Sequence, residues 1–425
     1  MYLCLNFLVN FLPAKLQIFQ IFLTFTLNTM NIIPNIIPPQ WHYTQDGKRD
    51  LRIDYLRGFV MLILVVVHFD FFSVFNFIAW ERIGVIAGAE GFVILSGFVV
   101  GMLYGGKIEE DGWRSIAQKL WKRAIKLYRA NLGVILAVAL LSTLPFWSAW
   151  KLMTFTDFAT STVYQLYPQP GLPFPQALIQ LLRLQFGPHQ FQIMGLYVIL
   201  LFATPALLWM LHKRLVIVVL AASWGMYVYN IYSPSMPTGA QFEYGFPILT
   251  WQVLYLHGLA AGYYNKSLAK LMDSGFRIPI LILSGILFWG FMFFTLNNPN
   301  PEMPAFARFS VISPKVFGEL YNKYFLKNTL GVLRLVNYVA VLVYGSYILT
   351  ICWKPLHKAF GWFFLPIGQA SLYVFIMHIF VLYIVSNIPI FWQKNFIINS
   401  LGHTASLLTL WLLVRYKVLF DYVPH

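Results

Sequence analysis

The stretch RDLRIDYLRGFVMLILVVVHFD, residues 49–70, sets one histidine, several arginines and three acids in or beside an apolar run. At about 100° per residue, Arg57 and His68, eleven positions apart, fall within about 20° of each other around a helix, and Asp54 lies about 40° from His68 on the same stripe. Asp70 points about 200° away from His68 unless the helix has already ended. Fourteen residues of helix separate Asp54 and His68 by about 21 Å. An imidazole isolated in LILVVVHF must find a partner or line a wet cavity, because burying an unpaired polar group costs roughly 2–7 kcal/mol. The usual uses of such a histidine are proton transfer and metal ligation. Arg57 with Asp54 has two readings: a capping and snorkelling pair at a helix end, or a clamp for the phosphates of a cytosolic cofactor.

Companions occur further along the chain. In GAEGFVILSGFVVGMLYG (88–105), Glu90, Gly97 and Gly101 share one helix face, and Gly97, Gly101 and Gly105 form overlapping small-xxx-small motifs that let this face approach another helix closely. His378 lies in IGQASLYVFIMHIFVLY and His257 in FPILTWQVLYLHGLAAGY. Counted from the outer ends of their apolar runs, His68, Glu90 and His378 sit at similar depth, about 10 Å for the first two, and His257 is nearer the middle. One such histidine reads as a helix-packing hydrogen-bonder; three with a carboxylate point to a site. None of these pairs has the i, i+3 or i, i+4 spacing of helical metal ligands, so no metal is expected. Ser96-Gly97 lacks the flanking pattern of a nucleophile elbow and reads as a packing position.

The elements that carry these residues follow from composition. The chain has 425 residues, of which 59% are hydrophobic and only 11% charged, against about 25% charged in soluble domains. The fold class is an all-α, polytopic integral membrane protein. Apolar runs near 53–75, 84–104, 127–147, 190–211, 215–232, 246–264, 278–296, 335–353, 366–387 and 398–415 predict ten spans. With residue 50 in the cytoplasm, 20 of the 30 Lys and Arg fall in cytoplasmic segments, nine fall outside, and Lys15 lies in the N-terminal extension. Both termini are then cytoplasmic, and the net charge of +15 is accounted for without nucleic acid. The expected organisation is an extension over 1–47, non-essential or mis-started at Met1 with Met30 as a later start, a ten-helix domain over 48–417, and a cytoplasmic tail over 418–425. The alternative for 1–47 is an interfacial or eleventh helix. No internal repeat supports an inverted-repeat transporter, and Cys4 and Cys352 offer no disulfide framework.

Two long outer loops complete the picture. Residues 148–189 contain Trp150, Tyr164, Tyr167 and a proline cluster, then Arg183 and His189, with Gln190 next; residues 297–334 are polar and basic. Such loops are an interfacial belt or, above a membrane cavity, a platform for a second substrate.

The region from Arg49 to Gly105 resembles the opening of the OpgC family, named for acylation, typically succinylation, of osmoregulated periplasmic glucans. More distantly it resembles the membrane acyltransferases whose first helix carries an arginine and, eleven residues on, a histidine, here Arg57 and His68. The likeness continues through GAEGFVILSG, QFQIMGLYVILLFATPALLW, FPILTWQVLYLHG and SLYVFIMHIF, spanning about residues 49–385. Where the family commonly has an Asp before the histidine, this chain has Val67, which leaves Glu90 as the orienting carboxylate. The resemblance implies O-acyl transfer from cytosolic acyl-CoA, a co-substrate rather than a bound cofactor, to a sugar hydroxyl of a periplasmic glucan or surface polysaccharide outside the bacterial inner membrane. His68 would then be the general base, helped by Glu90, or the carrier of an acyl-histidine. Arg57 and Asp54, with Lys122 and Arg123, would hold the donor; His378, His257, Asp70 and His189 would surround the centre or meet the acceptor. The competing reading from another class is a secondary transporter with the histidines as a proton relay.

Overall fold

The computed structural model describes residues 37–425 apart from 46, 48, 158–160, 170 and 393, so most of the N-terminal extension, including the proposed eleventh helix, lies outside the described residues. The regular structure of the described chain is helical except for one hairpin in the 148–189 loop, Thr154–Asp157 paired antiparallel with Thr162–Gln165. Eleven helices matter here: α1 (Leu51–His68), α2 (Gly88–Gly105), α3 (Trp113–Leu141), α4 (Ile193–His212), α5 (Val216–Tyr232), α6 (Ile248–Tyr263), α7 (Arg277–Leu296), α8 (Val332–Ile351), α9 (Trp353–Gln369), α10 (Ser371–Ser386) and α11 (Phe396–Arg415).

Each of the ten expected spans coincides with a helix, but fewer qualify as membrane-crossing by length and composition. Six do so: α2, α3, α4 with the turn before it, α7, α8 and α11; α9 and α10 make a seventh if taken together as one bent span. The shortfall has a physical origin. Half of α1 and most of α6 are buried, and no residue of α1 is exposed, so protein rather than lipid surrounds them and they need neither full apolar length nor freedom from charge. Helix α1 carries Arg52, Asp54 and Arg57 within its first seven residues, and α6 has 16 residues.

Three boundaries differ from the expected ones. Helix α1 stops at His68, where Asp70 takes a left-handed φ of 53°. Helix α3 starts fourteen residues before the expected 127, because Ile116, Leu120, Ala124 and Leu127 give the basic stretch a buried face. The ninth span is broken: α9 meets α10 at 91°, just after Pro366 and Gly368.

Glycines set the central packing. A Cβ on Gly101 of α2 would stand 2.1 Å from the carbonyl oxygen of Leu259 on α6, and one on Gly262 of α6 would stand 2.0 Å from that of Phe98 on α2. The two backbones therefore touch through each other's glycines, which is the close approach expected of the α2 small-xxx-small face. Gly101→Val should lower the unfolding temperature of the detergent-solubilised protein by several degrees, since overpacking costs typically 1–3 kcal/mol and here the obstacle is backbone. Gly225→Ala on α5, where a Cβ meets nothing within 4 Å, should leave it unchanged or raise it. Equal melting of Gly101→Val and the parent chain would contradict this packing.

Candidate active site

The first residue of α10 meets the N-terminal third of α1 at one cluster. Arg57 Nη2 donates to Ser371 Oγ at 2.6 Å, so the guanidinium is held at the N-terminus of the helix that begins after the 91° break. Asp54 is 2% exposed. Its carboxylate takes a two-pronged bond from Arg49, at 2.6 and 2.7 Å, and lies 3.9 Å from Arg57. Asp54 is thus mainly the partner of Arg49, which leaves Arg57 with most of its charge unmatched. Arg123 and Tyr197 lie within electrostatic range of Arg57, and Arg123 is bonded to the Tyr104 hydroxyl. Arg57 and Arg123 therefore converge with tyrosines around them. Lys122, one position earlier on α3, points elsewhere and lines a separate cavity with Lys126 and Arg129.

At the other end of the stripe, His68 Nδ1 lies 2.9 Å from His378 Nε2, with the rings stacked at 5.0 Å between centroids and 23° between planes. The pairing fixes both tautomers. His378 Nδ1 is 2.5 Å from the Phe375 carbonyl oxygen, which can only accept, so Nδ1 carries the proton and Nε2 of neutral His378 is an acceptor. His68 Nδ1 must then donate to it, and Nε2 of neutral His68 holds a free lone pair. That atom has no hydrogen-bond partner among the described residues, and His68 is part-exposed, in contrast to wholly buried His378. Two groups from the 148–189 and 297–334 loops, His189 and Lys327, lie within electrostatic range of His68. His189 packs edge-on against Phe155 of the hairpin. Asp70 lies 3.8 Å from Lys151 of the same loop.

The remaining residues are elsewhere engaged. Glu90, expected to orient His68, has both carboxylate oxygens occupied: Oε1 by Arg334 Nε at 2.6 Å and Oε2 by the Ala87 amide at 2.9 Å. The orienting partner is His378 instead. His257 accepts from Trp224 Nε1 at 3.1 Å and bonds the Val253 carbonyl at 2.8 Å, so both ring nitrogens serve helix packing. Among the described residues no three His, Cys, Asp or Glu side chains gather as metal ligands.

Sequence reasoning passed over Arg334. Its guanidinium, fully buried, donates to Glu90, to Glu81 at 2.5 Å and to the Phe325 carbonyl at 2.9 Å. A signal was present, because Arg334 is the third residue of α8, where the helix dipole disfavours a cation and carboxylates must compensate. Ser371 and Tyr197 had no such signal; only the fold brings them to Arg57.

A family-level sequence comparison matches residues 49–421 to the OpgC protein family. The chain belongs to that family. Membership indicates a membrane acyltransferase-type enzyme that modifies glucans or polysaccharides. Searches of curated proteins and of solved structures returned no significant match. The family match begins at Arg49, the residue that neutralises Asp54, and takes in both clusters.

The Arg334 cluster generates a prediction. Removing one partner of a buried ion pair costs about 3–5 kcal/mol, so Arg334→Met should destabilise the detergent-solubilised protein strongly, as read by thermal unfolding. His257→Phe, which loses only two packing hydrogen bonds, should melt within a few degrees of the parent. The reverse order would rule out this division of roles.

Proposed function

We propose that this chain is an O-acyltransferase of the bacterial inner membrane, with ten spans and cytoplasmic termini. It moves an acyl group, succinyl in the family's typical case, from cytosolic acyl-CoA to a sugar hydroxyl of a periplasmic glucan or surface polysaccharide. The observation that carries the reading is the free Nε2 of His68, oriented by His378 and reached by groups from both outer loops.

A sugar hydroxyl is a weak nucleophile and needs a base near neutral pH, which an imidazole supplies. His68 Nε2 takes the hydroxyl proton as the oxygen attacks the thioester carbonyl. The tetrahedral intermediate expels the CoA sulfur, which recovers the proton from the imidazolium. Throughout, Nδ1–H keeps its bond to His378, so the ring does not rotate away, the part that a carboxylate plays in a hydrolase triad. The same Nε2 is equally placed to accept the acyl group itself and pass it on. Arg57 and Arg123 bind the donor's phosphates at the opposite end, eleven residues or about 16 Å of helix below. The space beside Arg57 is a pocket of about 10 Å³ lined by Ser371, Ser96 and Phe92 among others, so passage of a pantetheine arm requires these side chains to move.

A proton relay for transport would need an acceptor beyond His378. Its Nδ1 instead ends on the Phe375 carbonyl, which cannot pass a proton on, and this favours transfer over transport.

Purified protein in liposomes, with acyl-CoA inside, should release free CoA only when an acceptor glucan is present outside. His68→Ala should reduce that release by about 10²–10⁴-fold while leaving acyl-CoA binding intact. Arg57→Ala should do the opposite, weakening acyl-CoA binding in a protein that still folds. CoA release by His68→Ala at the parent rate, with equal protein in the membrane, would overturn the assignment. Mass spectrometry of surface glycans with and without the gene would identify the acyl group.

A further inference from the structure

One face of α3 is used by neither cluster. Lys122, Lys126 and Arg129 recur on it at helical spacing, and the same stripe continues upward as Ala130, Gly133 and Val134. The face is thus cationic over its first two turns and small and apolar over the next. It forms one wall of a cavity of about 640 Å³. The opposite wall is Ile376 and Phe380 of α10, and the third is the C-terminal segment through Tyr422 and Val423. No carboxylate lines the cavity, and Lys122, Lys126 and Arg129 have no ion-pair partner among the described residues.

The cavity is separate from the histidine pair. Ile376 and Phe380 lie two positions either side of His378, about 160° from it around α10, so the helix itself stands between the two. It also opens at the surface, where Ile125 is 40% exposed and neighbouring Trp121 is 41% exposed. An indole and an aliphatic chain beside three cations make the surround of a membrane–water interface.

We propose that this cavity binds one anionic phospholipid of the surrounding bilayer. Its phosphate sits among Lys122, Lys126 and Arg129, and one acyl chain runs along Gly133 and Val134 against Ile376 and Phe380. From Lys122 to Val134 is about 18 Å of helix, room for a headgroup and the upper part of a chain. A free nucleotide phosphate would use the cations but leave the apolar half without an occupant; a neutral lipid would leave the cations unmatched. The assignment is independent of the acyl-transfer reading. Tyr422 and Val423 lie just beyond the residues that match the family.

The test uses the full-length protein in detergent, titrated with phosphatidylglycerol and read by native mass spectrometry. The parent chain should hold one phosphatidylglycerol. Lys126→Glu/Arg129→Glu should weaken binding at least tenfold. Gly133→Phe should do the same without touching a charge, because its side chain enters space where a Cβ meets nothing within 4 Å. That variant also replaces a helix-interior glycine and is expected to fold. If Gly133→Phe binds like the parent while the charge reversal does not, the attraction is surface electrostatics and the site is refuted. Wild-type binding in both variants refutes it as well, and so does displacement of the lipid by micromolar CoA, which would assign the cations to a nucleotide phosphate.

Discussion

The hydrogen bond between His68 and His378 constrains the molecule more than any other contact at the site. An imidazole pair works as donor and acceptor only if each ring is held in one tautomer and one rotation, and the anchor for both is a single backbone carbonyl, that of Phe375. For that carbonyl to lie beside α1, α10 must begin close to Arg57 and run upward beside the same helix, and the two contacts Arg57–Ser371 and His68–His378 fix this register at two points. The 91° break before Ser371 turns the chain there: the end of α9 packs on α1 backbone to backbone at Gly58 and Gly368, and α10 leaves from that point toward His68. Gly368 makes the break fit, since a Cβ there would overlap the Asp54 carbonyl oxygen.

Charge burial follows a different rule at each end. At His68 the partner is another imidazole, and one lone pair is left free. Beside them Arg334 is satisfied on all sides by Glu90, Glu81 and the Phe325 carbonyl, and Tyr321 completes Glu81 at 3.1 Å. A buried network of this kind is tolerable only when every member is paired. Its position suits a structural role, because it ties α2 and the segment before it to α8 and to the 297–334 loop. Arg82 adds bonds to the Thr295 and Ala307 carbonyls, and Asn297 Oδ1 accepts from Val311 and Ile312. The loop that brings Lys327 toward His68 is therefore held rigidly from below, which is what a binding platform requires.

The cluster around Arg57 is less closed. Asp54 is consumed by Arg49, and the convergence of Arg57 with Arg123 leaves two guanidiniums near tyrosine hydroxyls with little negative charge to offset them. In a protein interior such an arrangement is stable chiefly when an anion is expected, and it is here that the proposed donor's phosphates would find a charge complement. Lys122, by contrast, is turned by about 100° onto the face of α3 that lines the separate cavity with Lys126 and Arg129.

How much of this was legible beforehand depends on whether the signal was local. Span positions, the shared stripe of Arg57 and His68, and the glycine face of α2 all follow from helical periodicity and from the exclusion of charge from lipid, which act residue by residue along one chain. Partner choice is not local. Glu90 and His378 stand at the same depth as His68, and depth alone cannot say which faces it; the outcome turned on Arg334, 244 residues away, claiming the carboxylate. The break at Ala370 and the short, charged α1 likewise depend on burial by neighbouring helices, which removes the demand for unbroken apolar length. The sequence by itself determined that these groups lie in or near a membrane and on which stripe of which helix. Only tertiary packing decided which of them meet, because a buried polar group takes whichever partner the surrounding backbones bring within hydrogen-bond reach.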